Sequence, residues 1–530
     1  MPSGRSTQRR RRASTGGRSH VGARVAGPSA AARIAVASAA ATAGATAVLA
    51  GTRLLTRRPV GTADNTDGIR LYCGVGLVPA TADRRADWKG GVVVHFTRDG
   101  PCTDPIPSAA LLILKGAAHG YPERWSLTRL GWAYALLAGT VTAAAGWAVC
   151  AEGLERPLLL LPTMLPLADR DFARLFISTY SEPAGLLAAA TLMLGTTVLA
   201  GTRPAHRLER ALGLVLTGGG GLLASTSKLA YAPLLPIAAA VSAGTALPLP
   251  RSARRWTDRI AGCISALAVL AAAVRPALTA LRWQSRYYPG VNAHNVVFTT
   301  LLPELGPGAA TAVGLPPAAA AYSGRGSSDA NGIPIDPQLI PGWRAAIGDE
   351  PGRAQRAAHR QLLLHPRALL RAVGVAMQAT RGRDLDYLPD NPLPAGVAAA
   401  RTVTATGSMG HDGAALRTWL DAMSAPYGPS LLAVLGLAAG FCSLVKRPRN
   451  DLVAALDRIA GVGAAGAVGI AALAVLGDGY YEVAKHAWLS AFLLDVTAAA
   501  LLGSVLLGAA RIGVATPTLA TRPHGAPRLR

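Results

Sequence analysis

Lys228 stands in Ser225-Thr-Ser-Lys228, directly before an apolar run, and Lys485 stands beside His486 ahead of another. The chain has only five lysines, which makes the position of each worth noting. A lysine ammonium at a low-dielectric boundary attracts a phosphate more strongly than the same charge in water. Carboxylates, amides and one more cation occupy comparable positions at the ends of apolar runs. They are Asp67 and Arg70, then Asp169, Asp171 and Glu182, then Asn292, His294 and Asn295, then Asp478 and Glu482. Asp495 lies within the last apolar run. Together these groups make a mixed site, with carboxylates for base or metal chemistry and Lys and His for a phosphate. A lipid phosphate suits it: the tail lies between helices, the phosphate meets cations at the interface, and a nearby carboxylate takes a proton from an attacking hydroxyl. The competing reading is that charges at run ends only snorkel to lipid headgroups.

Other motifs carry less. Gly461-Val-Gly463-Ala-Ala-Gly466 matches a dinucleotide fingerprint by letters, but it lies inside an apolar run instead of between a strand and a helix. It reads as a place where helices approach closely, as does Gly218–Gly221. No His-Glu-x-x-His, P-loop or Gly-x-Ser-x-Gly occurs.

The elements that must position these residues are membrane spans. Apolar residues make up 51% of the 530 and charged residues only 15%, too few charges to coat several soluble domains. A helix needs about 20 mostly apolar residues to cross a bilayer. The runs 33–51, 127–150, 183–201, 228–247, 260–280, 429–445, 458–476 and 486–509 qualify, and 157–167 and 212–224 are weaker candidates. Residues 1–32 hold seven arginines and no acid, a disordered, basic cytoplasmic tail. Run 33–51 then reads as an uncleaved anchor rather than a signal peptide.

Alternating sides from there puts the short basic loops around Arg203–Arg210, Arg251–Arg259 and Lys446–Arg449 in the cytoplasm. The net charge of +24 is thus explained by positive-inside loops, not by nucleic acid binding. All the candidate site groups fall on the opposite, outer face. The expected organisation is an all-α integral membrane protein with about ten transmembrane helices. An N-terminal module spans 33–280 with a first outer loop at 52–126, a second outer insertion covers 281–428, a C-terminal module covers 429–510, and the tail 511–530 is cytoplasmic.

Within the outer segments, 90–98 reads as a short strand, 306–342 as loop, and 351–380 as an amphipathic helix broken near Pro366. Cys73 and Cys102 share the first outer loop and could form a disulfide outside the cytosol. Cys150, Cys263 and Cys442 read as core fillers.

Five ordered stretches carry a resemblance. Thr66-Asp67-Gly-Ile-Arg70 followed by Gly74-Val-Gly76-Leu resembles the first outer loop of bacterial polytopic proteins taken as C-type (GT-C-like) glycosyltransferases, where an Asp-x-x-Arg precedes a Gly-Leu. Phe176-Ile-Ser-Thr-Tyr-Ser-Glu182-Pro183, Ser227-Lys228-Leu-Ala-Tyr-Ala-Pro233 and Asn292-Ala-His294-Asn-Val-Val-Phe298 are similar in order and spacing. So is Gly477-Asp478-Gly479 through Lys485-His486 to Asp495. Tyr387-Leu-Pro-Asp-Asn391 is similar to a Tyr-Leu-Gly-Asn pattern, with Pro389 and Asp390 departing from it. Leu229 stands where a Pro is common, and Ala replaces much of the usual aromatic and Asn content.

The resemblance covers roughly 60–500. It implies transfer of a sugar from a polyprenyl-phosphate carrier to a cell-envelope glycan acceptor on the outer face of the cell membrane, with Asp67 as catalytic base. Lys228, Lys485, His486 and Arg70 are then the donor-phosphate partners. Asp169, Asp171, Glu182, Asn292, His294, Asp478 and Glu482 serve the acceptor or support the site. No cofactor is required, and a divalent cation is compatible with the carboxylates. The rival readings are a transporter or flippase of lipid-linked sugars and a non-catalytic envelope membrane protein.

Overall fold

The computed structural model describes residues 27–56, 68–80, 93–121, 123–247, 257–328, 334–380, 428–445 and 452–515. Asp67, the 387–391 stretch and Asp64, a neighbouring carboxylate without an arginine at the Asp-x-x-Arg spacing, lie outside them. Helices dominate, and among the described residues seven are long and apolar enough to cross a membrane. They are Ala30–Gly51, Thr128–Glu152, Glu182–Gly201, Ile260–Tyr287, Gly428–Val445, Leu452–Asp478 and Trp488–Ala510. Glu182–Gly201 is the central post, with 94% of its apolar window buried, while Ile260–Tyr287 lies at the periphery with 11%.

Small residues let the helices come together. A Cβ at Gly440 would strike the backbone of Gly461, and one at Gly463 would meet Thr497. The fingerprint-like glycines are therefore helix-packing positions.

Of two runs, one exceeds the sequence reading and one falls short of it. The weak run 212–224 belongs to a 21-residue helix, Arg207–Ser227. Glycine disfavours helix interiors, but here Gly220 lies against the Leu192 backbone and Gly221 against Ala238, so close packing compensates. Conversely, the strong run 228–247 forms only a turn at Leu229–Tyr231 and a 10-residue helix, Leu234–Ala243. Lys228 has an extended backbone that ends the preceding helix, and Pro233 delays the next one. Arg156–Leu167 is likewise a short apolar helix.

The chain is not wholly helical. Three short antiparallel strands, β1 (Leu77–Pro79), β2 (His95–Arg98) and β3 (Arg124–Ser126), form a sheet in the order β1-β2-β3. The strand expected at 90–98 is its middle member, with Phe96 opposite Trp125 and Pro79. A Cys73–Cys102 disulfide closes the same region. Cys150 is buried, but Cys263 and Cys442 are exposed on helix surfaces and fill no core.

The amphipathic segment is two helices, Pro351–Leu364 and Pro366–Ala379, broken at His365. In Pro351–Leu364, Ala354, Ala358 and Leu362 join Val296, Phe298, Leu301 and Ile347 in a second core, separate from that of the bundle. The stretch expected as loop at 306–342 contains helical turns at Ala309–Ala312 and Pro317–Tyr322.

Contacts sort the helix ends into two sets. At one end, Gly51 packs on Ala168 and Ala173, Ser108 donates to the Ser227 carbonyl at 2.6 Å, and His359 bonds the Leu476 carbonyl at 2.6 Å. The described parts of both long inter-helix segments lie at this loop end. At the other, Arg33 donates to the Trp147 carbonyl and to Glu209, and Arg210 donates to the carbonyls of Leu199, Thr202 and Ala246.

Candidate functional site

The loop end gathers most of the described candidate residues. Glu182 opens the central helix and is buried, with Ser181 beside it donating to Oε2 at 3.2 Å. Lys228 arrives where Arg207–Ser227 stops, and its Nζ donates to Glu182 Oε1 at 2.6 Å. The charge of Lys485 also acts on Glu182. One buried carboxylate thus sits in the field of both lysines that the sequence singled out.

Below it, Gly185 leaves room for the Tyr231 ring, which a Cβ would strike. The Tyr231 hydroxyl is buried without a hydrogen-bond partner among the described residues, and Lys228 Nζ lies 6.0 Å from the ring centroid. A buried hydroxyl left unpaired carries a desolvation cost.

The turn after Leu452–Asp478 supplies the second half. Gly479 adopts φ 61°, and any Cβ there would meet Thr299 and the Asn295 carbonyl. Glu482 also has a left-handed backbone, φ 45°, unusual for a residue with a side chain. These two reversals fold the turn back, so that Lys485 pairs with Glu482 at 3.0 Å and His486 Nε2 meets Asp478 Oδ2 at 3.0 Å. Asn295 donates to Asp478 Oδ1 at 2.6 Å and accepts from the Ser327 amide at 2.8 Å. Burial raises the Tyr481 phenol above its usual value, and burial with the hydrogen bond to Glu304 raises that of Tyr480. Both therefore stay protonated, and Tyr480 donates to Glu304 at 2.6 Å.

The remaining candidates have other positions. The Arg70 guanidinium lies 5.0 Å above the Tyr288 ring, joining the first long segment to the start of the second. Asp169 caps the short helix Arg170–Ala173 through the Asp171 amide, and Asp171 is buried. Asn292 is half-buried.

His294 is held by its own core: Trp343 Nε1 donates to its Nδ1 at 3.0 Å, so Nε2 carries the proton and faces the Arg325 carbonyl at 3.1 Å. Burial lowers its pKa against those backbone hydrogen bonds. Both ring nitrogens are occupied, so His294 positions Phe298 and Trp343 and does not reach toward an acceptor.

Glu304 and Tyr231 join this cluster without having been selected by spacing, whereas Asn295 is among the sequence candidates and is held between Asp478 and the Ser327 amide.

Among the described residues, no three His, Cys, Asp or Glu side chains are grouped as metal ligands. Glu182, Glu482 and Asp478 are each paired with a different cationic or cation-capable partner instead. No protein family, curated protein or solved structure matches the chain.

Proposed function

We propose that the chain is a membrane glycosyltransferase of the C type, moving a sugar from a polyprenyl-phosphate carrier to an envelope glycan acceptor. The observation that carries this reading is the pairing of Lys228 with buried Glu182 and of Lys485 with Glu482 at the loop end of an apolar helical bundle. Each ammonium there is held by a carboxylate, and the donor phosphate, which gains a second negative charge as the sugar leaves, takes the carboxylate's place. The acceptor hydroxyl attacks the anomeric carbon while Asp67 takes its proton. The bond from that carbon to the phosphate oxygen breaks, its electron pair passes to the phosphate, and Lys228, Lys485, His486 and Arg70 stabilise the charge. In this reading the loop end is extracytoplasmic, and the three shorter or more polar helices complete ten crossings. A cysteine introduced at position 232 is then labelled from outside intact cells once the native free cysteines are removed; labelling only after lysis removes the topology.

The deciding experiment is sugar transfer by purified Asp67→Asn and Asp64→Asn proteins. Loss of a general base lowers the rate by about 10²–10⁴-fold, and the Asp64 variant stays near the parent. Near-normal turnover by Asp67→Asn ends the base assignment. A flippase of lipid-linked sugars is the second reading, favoured by the buried Asp495 inside Trp488–Ala510. It requires Asp67→Asn to keep moving lipid.

A further inference from the structure

The helix Ile260–Tyr287 has no acidic residue, yet it carries Arg275, Arg282 and Arg286. At 100° per residue these three share one stripe with Thr279, and toward the arginine end the stripe continues through Ala271 and Ile264. All six are exposed. The buried residues of the helix, Gly262, Ala266 and Ala273, lie on the opposite side. Arg275 therefore points away from the bundle, in a helix whose apolar window is only 11% buried.

Arg286 pairs with Asp104 at 3.3 Å. The Arg275 and Arg282 side chains make no hydrogen bond or ion pair with another described residue. A guanidinium facing hydrocarbon is costly unless it reaches a polar partner. Gly262 packs on the Ser242 and Thr245 carbonyls at the arginine end. Counted from there, a hydrocarbon layer of about 30 Å ends close to Arg282, with Arg275 about 10 Å beneath it. The two free cations thus occupy the headgroup boundary and the layer just under it, above an uncharged track.

We propose that this stripe binds the phosphate headgroup of an anionic phospholipid in the leaflet at the loop end, with the acyl chain lying along Ala271 and Ile264. Charge complementarity selects the occupant: two guanidiniums without a partner among the described residues, one at the headgroup boundary and one in the layer just under it, match a phosphodiester, and the apolar half of the stripe matches its tail. The inference does not depend on sugar transfer.

The full-length protein is reconstituted in nanodiscs of mixed phosphatidylcholine and phosphatidylglycerol, released into detergent, and weighed with its retained lipids by native mass spectrometry. The parent keeps phosphatidylglycerol in preference to phosphatidylcholine. R275Q/R282Q lowers that preference by about fivefold for each charge removed, whereas R275K/R282K retains it. R356Q, on the exposed side of Pro351–Leu364, leaves it unchanged. If the double variant does not fold, R282Q alone at the helix end carries the test. Equal lipid ratios in the parent and the neutral variants overturn the proposal. So does a stoichiometric second polypeptide that leaves with Arg275 and Arg282 while the lipid ratio stays constant.

Discussion

At the arginine end of the bundle, Arg210 donates to the carbonyls of Leu199, Thr202 and Ala246, and Arg33 donates to Glu209 and to the Trp147 carbonyl while stacking on the Trp147 ring. At the loop end, Lys228 donates to Glu182, Lys485 to Glu482, and His486 meets Asp478. The burial is alike: the Lys228–Glu182 side chains are 20% and 5% exposed, and those of Arg33–Glu209 19% and 8%. The chemistry differs. A guanidinium fork bonds several backbone carbonyls at once and satisfies acceptors at helix C-termini. An ammonium on one carboxylate is a point contact between two charges, and another anion can take the carboxylate's place. The arginine end ties helices together, and the loop end holds cations in a form that a ligand can claim.

The comparison breaks most sharply at its matched pairs. Removing one partner of a buried pair costs roughly 3–5 kcal/mol, so Lys228→Ala and Arg33→Ala should lower thermal stability by similar amounts. Only the Lys228 variant should also weaken polyprenyl-phosphate binding, by about tenfold or more. Lys228→Met with Glu182→Gln removes both charges together, recovers most of the stability and leaves donor binding lost. Equal donor affinity in the Arg33 and Lys228 variants, measured by titration of the purified proteins, would erase the distinction between the ends.

A second test asks how firmly the loop-end scaffold is held. Cys73→Ser with Cys102→Ser should lower the opening free energy of the sheet by roughly 2–4 kcal/mol, read from hydrogen exchange at Phe96 and Trp125. Unchanged exchange there would show that strand pairing alone keeps the region closed.

The smallest effect concerns His294. Burial holds its folded pKa below the ordinary 6.5, so below that pH the unfolded chain binds a proton that the folded one resists. Its contribution to stability is therefore complete above about pH 6.5 and declines as pH falls toward the lowered value. Thermal melting between pH 7.5 and 5, taken as approximate limits, should show a fall that His294→Phe reduces. An identical slope in both proteins would mean that other groups dominate.

Much of this was legible in the chain itself. Apolar runs of sufficient length mark seven helices because a bilayer leaves the backbone few alternatives, and Pro366 marks the break between the two amphipathic helices because it cannot continue the first. Cys73 and Cys102 share one segment, which makes a bridge between them possible, and the structure shows it formed. Lys228, Lys485 and His486 were found because charge at the edge of an apolar run is costly and stands out. What they touch was hidden. Glu182 is 46 residues from Lys228 and Asn295 is 183 from Asp478, so neither partnership has a local pattern. His294 reads in the sequence as serving the acceptor or supporting the site, and its contact with Trp343, 49 residues away, has no local pattern.

Period and composition determined which segments are helices and which of their ends carry charge, since both follow from local chemistry and the solvent each residue must face. Only the tertiary structure decided which neighbours the four consecutive glycines admit, because that depends on how closely Leu192 and Ala238 approach. It also decided which cation meets which carboxylate, because that depends on where distant helix ends come to rest against one another.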